Sequence, residues 1–169
     1  MYDKEFTFRK ALETDIPAIC EIIQQAKQLM CDLGRHQWNE KYPAIDNIKS
    51  DIANGGAYAA CAPDVVAYAY VTDLEEPAYN ALKGQWLSVQ PYIVVHRLAV
   101  GMDCRGIGLA KFIFSNVETL CANKKIHSIK VDTNYDNVEM LHLLPSLGFT
   151  ECGTVEYPQG QRIAFEKLV

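Results

Sequence analysis

The chain has 169 residues, of which 49% are apolar and 22% charged, and its formal net charge is -5. The length and composition are those of an ordinary globular protein, and they exclude a disordered, collagenous or coiled-coil chain. The acidic balance argues against a protein that binds nucleic acid through a broad basic surface. We therefore predict a single domain over residues 1–169 with no nucleic-acid partner.

The same features predict a cytoplasmic protein without a membrane segment. Residues 1–10 carry mixed charge and lack the apolar core of a signal peptide, and no apolar run approaches the length of a membrane-spanning helix. The six cysteines show no CxxC spacing, which is typical of reduced thiols. The four histidines show no spacing that favours a metal ion, so we expect no metal site.

The first half of the chain predicts two helices between short strands. Thr14 and Asp15 offer a helix N-cap, and isoleucines then recur at helical spacing. Two β-favouring runs separated by Pro63 and Asp64 predict an antiparallel hairpin. The predicted elements are a strand at 6–9, a helix from about 15 to 34, a helix over 45–52, and strands over 58–62 and 65–71.

A polar segment over residues 75–91, called the excursion below, contains Tyr79 and Trp86 and leads into the second half of the chain. It is long enough to line a site. The second half predicts the order β-α-β-α-β-β, in which the central β-α-β unit favours a parallel strand pair. Its predicted strands cover 92–100, 127–132, 149–155 and 162–167, and its helices cover 108–123 and 137–147. Both halves together predict an α/β or α+β fold with a mixed sheet.

The loop after the strand at 92–100 is the most informative segment. Gly106 and Gly108 let the backbone turn tightly and approach a ligand, and the next helix presents unpaired N–H groups and its positive dipole end. Such a loop suits a pyrophosphate, and Arg105 and Lys111 add local positive charge. A Walker A loop is excluded, because neither lysine nor a hydroxyl residue follows Gly106.

A dinucleotide-binding loop stays open as a second interpretation. Its third glycine position is occupied by Lys111, and several residues separate Val100 from Gly106. Asp132, at the end of the next strand, is a tolerable partner for a ribose. This alternative, an NAD-dependent oxidoreductase, also requires an α/β alternation that the first half lacks.

The segment Arg105-Gly-Ile-Gly108-Leu-Ala110 matches the Arg/Gln-x-x-Gly-x-Gly/Ala signature of the GNAT superfamily, the acetyl-CoA-dependent N-acyltransferases. Downstream, the stretch from Asn137 to Phe149 resembles the second signature of that family, an asparagine followed by a helix that closes in Leu-Gly-Phe. Residues 8–17 and 38–43 are also similar to small cytosolic members. The resemblance implies a GNAT-like mixed, mainly antiparallel central sheet with flanking helices.

The resemblance also implies a cosubstrate, acetyl-CoA, and no metal. In the family, N–H groups of the signature loop hold the pyrophosphate of CoA, the splayed strand before the loop pairs with pantetheine, and the signature asparagine lies close to the pantetheine arm. The residues at these positions are Leu98, Ala99, Val100, Arg105, Gly106, Ile107, Gly108, Leu109, Ala110 and Asn137.

The catalytic residues are less well indicated. Many family members place a tyrosine four residues before the glycine of Gly-Phe, where it can protonate the leaving thiolate, and this chain has Leu144 there. A CoA thiolate is only moderately basic, so solvent can suffice as the donor. His96 is the candidate base, since an imidazole has a pKa of about 6.5 and His96 shares the strand parity of Leu98 and Val100. A half-buried histidine hydrogen-bonded across the sheet is the alternative.

The predicted function is acetyl transfer from acetyl-CoA to a primary amine of a small molecule or peptide, by direct attack through a tetrahedral intermediate. Asp73, Glu75 and Glu76 are candidate contacts for a cationic acceptor, although a solvated acidic turn is the commoner meaning of such a cluster. A CoA-binding module without turnover is the alternative that Leu144 motivates. A homodimer is the assembly that the resemblance implies.

Overall fold

The computed structural model describes residues 5–169, and this part of the chain forms two compact units. The first unit consists of the described residues up to Val71 together with Arg97–Asn116, and the second consists of Thr72–His96 and Val117–Val169. The organisation as a single domain stays a prediction.

The first unit contains an antiparallel hairpin formed by β2 (Ala57–Cys61) and β3 (Val65–Thr72). Strand β1 (Thr7–Lys10) pairs with β2, and the last half of β5 (Ile93–Val100) follows β3 in the strand order. Its strand order is β1-β2-β3-β5, and both the β1–β2 and the β2–β3 pairs are antiparallel. The hairpin expected from the sequence is thus present. The elements are β1 (Thr7–Lys10), α1 (Ile16–Asp32), α2 (Ile45–Ala53), β2 (Ala57–Cys61), β3 (Val65–Thr72), β5 (Ile93–Val100) and the first half of α3 (Leu109–Lys124).

Helix α1 packs through its isoleucines into the core of this unit. Ile19, Ile22 and Ile23 are buried and share a cluster with Tyr68 of β3. Asp15 precedes the helix as expected, but it makes no side-chain cap. Its carboxylate instead accepts hydrogen bonds from Arg9 at 2.7 and 3.0 Å and from the N–H of Leu12 at 2.7 Å, so it fixes the turn before the helix.

The second unit holds the first half of β5 and the rest of the sheet. Its strand order is β5-β6-β8-β7-β4, in which β5–β6 is parallel and the other pairs are antiparallel. The mixed, mainly antiparallel sheet with helices is therefore confirmed. The further elements are β4 (Lys83–Gly84), β6 (Ser128–Thr133), α4 (Val138–Ser146), β7 (Thr150–Tyr157) and β8 (Gly160–Leu168).

The parallel pair β5–β6 is short. Only Ile93 and Val94 of β5 face partners in β6, which are Ile129 and Lys130. Strand β5 nevertheless continues for six more residues to Val100. The paired segment thus ends at Val94, well before the strand does.

A buried carboxylate anchors the excursion that precedes β5. Glu166 of β8 is fully buried and accepts hydrogen bonds from the N–H of Leu87 at 2.6 Å, from the hydroxyl of Ser88 at 2.5 Å and from the hydroxyl of Ser128 at 2.7 Å. A buried charge with this many donors is well satisfied. The anchor fixes the excursion against the sheet of the second unit.

None of the helices within residues 5–169 is both long and apolar enough to span a bilayer. In the same part of the chain, no group of three or more His, Cys, Asp or Glu side chains is placed to hold a metal ion.

Candidate functional site

The glycine loop of the first unit has the backbone that the sequence predicts. After β5 a 3-10 turn over Met102–Cys104 leads to Arg105, and α3 begins at Leu109. Gly106 and Gly108 have φ values of 76° and 90°, in the left-handed region that favours glycine. A Cβ atom built on either glycine would meet nothing within 4 Å. The backbone is therefore open to a ligand at both positions.

The same loop presents a run of unpaired donors. Phe112 is the first residue of α3 whose N–H finds a helical acceptor, the carbonyl of Gly108 at 2.9 Å. Within residues 5–169, the N–H groups of Gly106 through Lys111 have no hydrogen-bond acceptor. Donors of this kind at the positive end of a long helix attract an anion, and phosphate oxygens suit them.

Arg97, in the last half of β5, has an unusual backbone conformation. Its φ is 51°, which is uncommon for a residue with a side chain. A left-handed residue interrupts the period-two alternation of a strand, so the parity of Leu98 and Val100 no longer indicates the side on which His96 lies. Strained residues of this kind occur often at functional sites.

A buried ion pair holds Arg97 in place. Its guanidinium contacts Asp51 of α2 through both carboxylate oxygens, with Nε at 2.9 Å from Oδ2, and it lies over the ring of Tyr70. The remaining guanidinium nitrogen, Nη1, donates to the hydroxyl of Tyr42 at 2.9 Å. Tyr68 donates to the same carboxylate, and burial together with the negative charge of Asp51 raises the pKa of Tyr68. Both Asp51 and Tyr68 are buried.

In the second unit, His96 faces a carboxylate. Its Nε2 lies 3.6 Å from Oε2 of Glu76, and both side chains are about one-fifth exposed, at 21% and 22%. The other oxygen of Glu76 accepts a hydrogen bond from the N–H of Ala78 at 3.3 Å and caps the short 3-10 helix that follows. The N–H of Glu76 donates to the hydroxyl of Tyr92 at 3.2 Å. Glu76 is thus fixed in position beside the imidazole.

The acidic residues Asp73, Glu75 and Glu76 make different contacts, which the sequence does not reveal. Glu76 contacts His96, whereas Asp73 forms an ion pair with Lys124 at 2.7 Å. Glu75 is exposed and has no partner in the described part of the chain. The pairing of a glutamate with a histidine twenty residues later has no signature in sequence spacing.

Asp132, the candidate ribose partner of the dinucleotide interpretation, is engaged by two tyrosines. The hydroxyls of Tyr79 and Tyr157 both donate to its Oδ2, each at 2.8 Å. Burial and the charge of Asp132 raise the pKa of both phenols, so they stay protonated. This network, and the antiparallel hairpin of the first unit, argue against a dinucleotide-binding fold.

The second signature of the resemblance falls on α4 and the residue before it. Asn137 is the N-cap of α4, where its side-chain oxygen accepts a hydrogen bond from the N–H of Met140 at 3.3 Å. Its amide nitrogen has no partner among residues 5–169. Leu144 is fully buried in the core, so this position offers no acid.

Comparison with known proteins identifies the family that the sequence resembles. The model of the acetyltransferase (GNAT) family matches residues 17–149. A crystal structure of a GNAT-family acetyltransferase from Streptococcus agalactiae is 32% identical to this chain and has a TM-score of 0.88, with 99% of this chain and 98% of that chain covered. No curated protein matches the sequence.

More distant solved structures share the fold. A GNAT-family acetyltransferase from Listeria monocytogenes is 19% identical, covers 97% of this chain and 95% of its own, and has a TM-score of 0.77. A ribosomal-protein-alanine N-acetyltransferase from Brucella melitensis is 20% identical, with 96% of this chain and 99% of that chain covered and a TM-score of 0.71.

Proposed function

Because this chain belongs to the GNAT acetyltransferase family and is thus an acyltransferase, we propose that it transfers the acetyl group of acetyl-CoA to a primary amine of a small molecule or peptide. The observation that carries the proposal is the run of unpaired N–H groups from Gly106 to Lys111. It lies on the family signature, at the start of a helix of 16 residues.

The loop residues fit the pyrophosphate of CoA. Arg105, Gly106, Ile107, Gly108, Leu109 and Ala110 would bind its oxygens mainly through backbone N–H groups, so the site depends on glycine conformation more than on side chains. The net charge of -5 is compatible with such a polyanion, because few side chains take part. We assign pantetheine to the backbone of Leu98, Ala99 and Val100 and to the amide of Asn137.

His96 is the residue that we propose as the base. An amine attacks a thioester only when it has lost the proton of its ammonium form, and a neutral imidazole can take that proton. The carboxylate of Glu76, 3.6 Å from Nε2, orients the ring and stabilises the imidazolium that forms. The backbone N–H groups near Leu98, Ala99 and Val100 would polarise the thioester carbonyl.

Calorimetry with acetyl-CoA, CoA and NADH tests the choice of cosubstrate. We expect saturable heats in the micromolar range for both CoA species and none for NADH. The absence of CoA binding would overturn the proposal. Tighter binding of NADH than of CoA would overturn it as well and would favour the NAD-dependent oxidoreductase.

Replacing Gly108 by Ala tests the loop. We expect affinity for CoA to fall about tenfold or more, because the left-handed backbone is strained by a side chain and the close approach of the phosphates is lost. Gly34→Ala is the matched control: its φ is 68° and its Cβ would also meet nothing within 4 Å. Both variants should lose about 1 kcal/mol of stability. Equal CoA affinity in the two variants would contradict the assignment.

A CoA-binding module without turnover is the second candidate, favoured by the burial of Leu144 at the position of the usual acid. Release of the CoA thiol with a panel of polyamines, amino acids, aminoglycosides and peptide N-termini separates the two. Binding of CoA with no thiol release over the whole panel would establish the module. A cytoplasmic location and a homodimer stay predictions.

A further inference from the structure

The second unit contains a cavity of about 680 Å³ under the excursion that precedes β5. This volume suits a small molecule. Its wall is made by aromatic residues, by acidic residues and by one lysine of the sheet. The residues that line it include Glu75, Tyr79, Trp86, Tyr92 and Lys130.

Lys130 is a buried lysine that forms no ion pair within residues 5–169. The residue is 4% exposed, and its Nζ lies 4.0 Å from the ring centroids of both Trp86 and Tyr92. Among residues 5–169, no carboxylate oxygen lies within ion-pair distance of Nζ and no acceptor hydrogen-bonds to it. The rings stabilise the charge in part, but they leave its N–H donors without oxygen partners.

The carboxylate that faces Lys130 on the neighbouring strand already accepts hydrogen bonds from other donors. Glu166 faces Lys130 across the β6–β8 pair, yet its two oxygens accept from Leu87, Ser88 and Ser128. Burial accordingly lowers the pKa of Lys130, although Glu166 opposes this effect. An anionic group in the cavity would supply the missing acceptor.

One residue of the cavity wall is linked by a hydrogen bond to the carboxylate residue beside the proposed base. Tyr92, which flanks Lys130, accepts a hydrogen bond from the N–H of Glu76 at 3.2 Å, and Glu76 lies beside His96. Glu75, the residue before it, lines the cavity with a carboxylate that has no partner in the described part of the chain. The cavity wall therefore carries one positive group, Lys130, and the carboxylate of Glu75, the residue next to Glu76.

We propose that this cavity holds the acceptor and that the acceptor is a small amino carboxylate, whose carboxylate binds the ammonium of Lys130 and whose amine lies toward Glu75. The inference rests on the proposed acetyl transfer. It narrows the acceptor from any primary amine to zwitterionic amines of the size of an amino acid.

The fluorescence of Trp86 gives a direct test. The chain has two tryptophans, so Trp38→Phe in the first unit leaves Trp86, in contact with Lys130, as the single reporter. In this background we would titrate the common L-amino acids at millimolar concentration, and for leucine also isoamylamine, which lacks only the carboxylate. We expect a saturable change with at least one amino acid and binding at least about tenfold weaker for the matching amine.

Lys130→Met keeps the length of the side chain and removes its charge, and it should weaken amino acid binding at least about tenfold. Lys83→Met, which removes an exposed lysine of the same unit, is the control and should bind like the parent. Equal binding of an amino acid and its decarboxylated amine, unchanged binding by a folded Lys130→Met, or no saturable change with any amino acid would each overturn the inference. The comparison of acid with amine requires no variant of Lys130.

Thiol release separates this inference from the proposed function. Acetyl transfer to amines that lack a carboxylate, without transfer to amino acids, would retain the function and overturn the assignment of the cavity. Amino acid binding that depends on Lys130 without any thiol release would retain the cavity as a carboxylate site and overturn the acetyl transfer, and with it the acceptor role.

Discussion

Replacing His96 by Gln is expected to lower the rate constant for acetyl transfer by roughly 10²–10⁴-fold, which is the usual contribution of a positioned general base. Gln keeps the size and polarity of the side chain but cannot accept a proton near neutral pH. The KM for acetyl-CoA should change little, because we assign CoA to backbone groups elsewhere. Steady-state kinetics over a range of pH is the measurement.

The pH profile is the decisive part of that experiment. A general base acts only in its deprotonated form, so the dependence of kcat/KM on pH should differ between the parent enzyme and His96→Gln. His127→Gln is the matched control, because His127 is exposed and its ring nitrogen Nδ1 lies 3.1 Å from the carbonyl of Val169, away from Glu76. An unchanged profile in His96→Gln would leave His96 as a structural histidine.

Glu76→Gln isolates the contribution of the carboxylate beside the imidazole. Gln retains an oxygen for the N–H of Ala78, so the cap of the 3-10 helix is preserved while the negative charge is lost. We expect a smaller loss of kcat than in His96→Gln. A larger loss would indicate that Glu76 itself takes the proton.

Asp51→Asn is expected to lower the free energy of unfolding by about 3–5 kcal/mol, because it leaves the buried guanidinium of Arg97 without a counter-charge. The side chains of Arg97 and Asp51 are 12% and 3% exposed. Urea unfolding followed by circular dichroism measures the loss.

The control is a second Arg–Asp pair in the same unit. Arg9 and Asp15 lie 2.7 Å apart, but Arg9 is 39% exposed, so solvent screens the pair. Asp15→Asn should therefore cost about 1 kcal/mol or less. Equal losses in the two variants would show that the pair between Asp51 and Arg97 is no more important than an exposed one.

Local patterns in the sequence predict much of the fold, but they predict only part of the candidate site. The spacing of Ile16, Ile19 and Ile23 predicts α1, and the glycines at 106 and 108 predict a ligand loop, because both signals lie within one stretch of chain. Neither spacing nor composition reveals that Arg97 is left-handed, because its partner Asp51 lies 46 residues earlier.

The burial of Lys130 could not be predicted from the sequence either. In a stretch that alternates isoleucine, lysine, valine and aspartate, a lysine is expected on the solvent face of a strand. The excursion before β5 covers that face instead and places Trp86 and Tyr92 around the ammonium. Burial by a distant loop is a tertiary effect that periodicity does not encode.

The anchor of the excursion on Glu166 also has a consequence for the order of folding. The hydrogen bonds of Glu166 to Leu87 and Ser88 span 79 and 78 residues, so the excursion cannot be fixed until the last strand has been synthesised. Contacts at such separation form slowly. Until then Trp86 and Tyr92 stay exposed on the nascent chain, and the second unit is the part that depends most on protection from aggregation during synthesis.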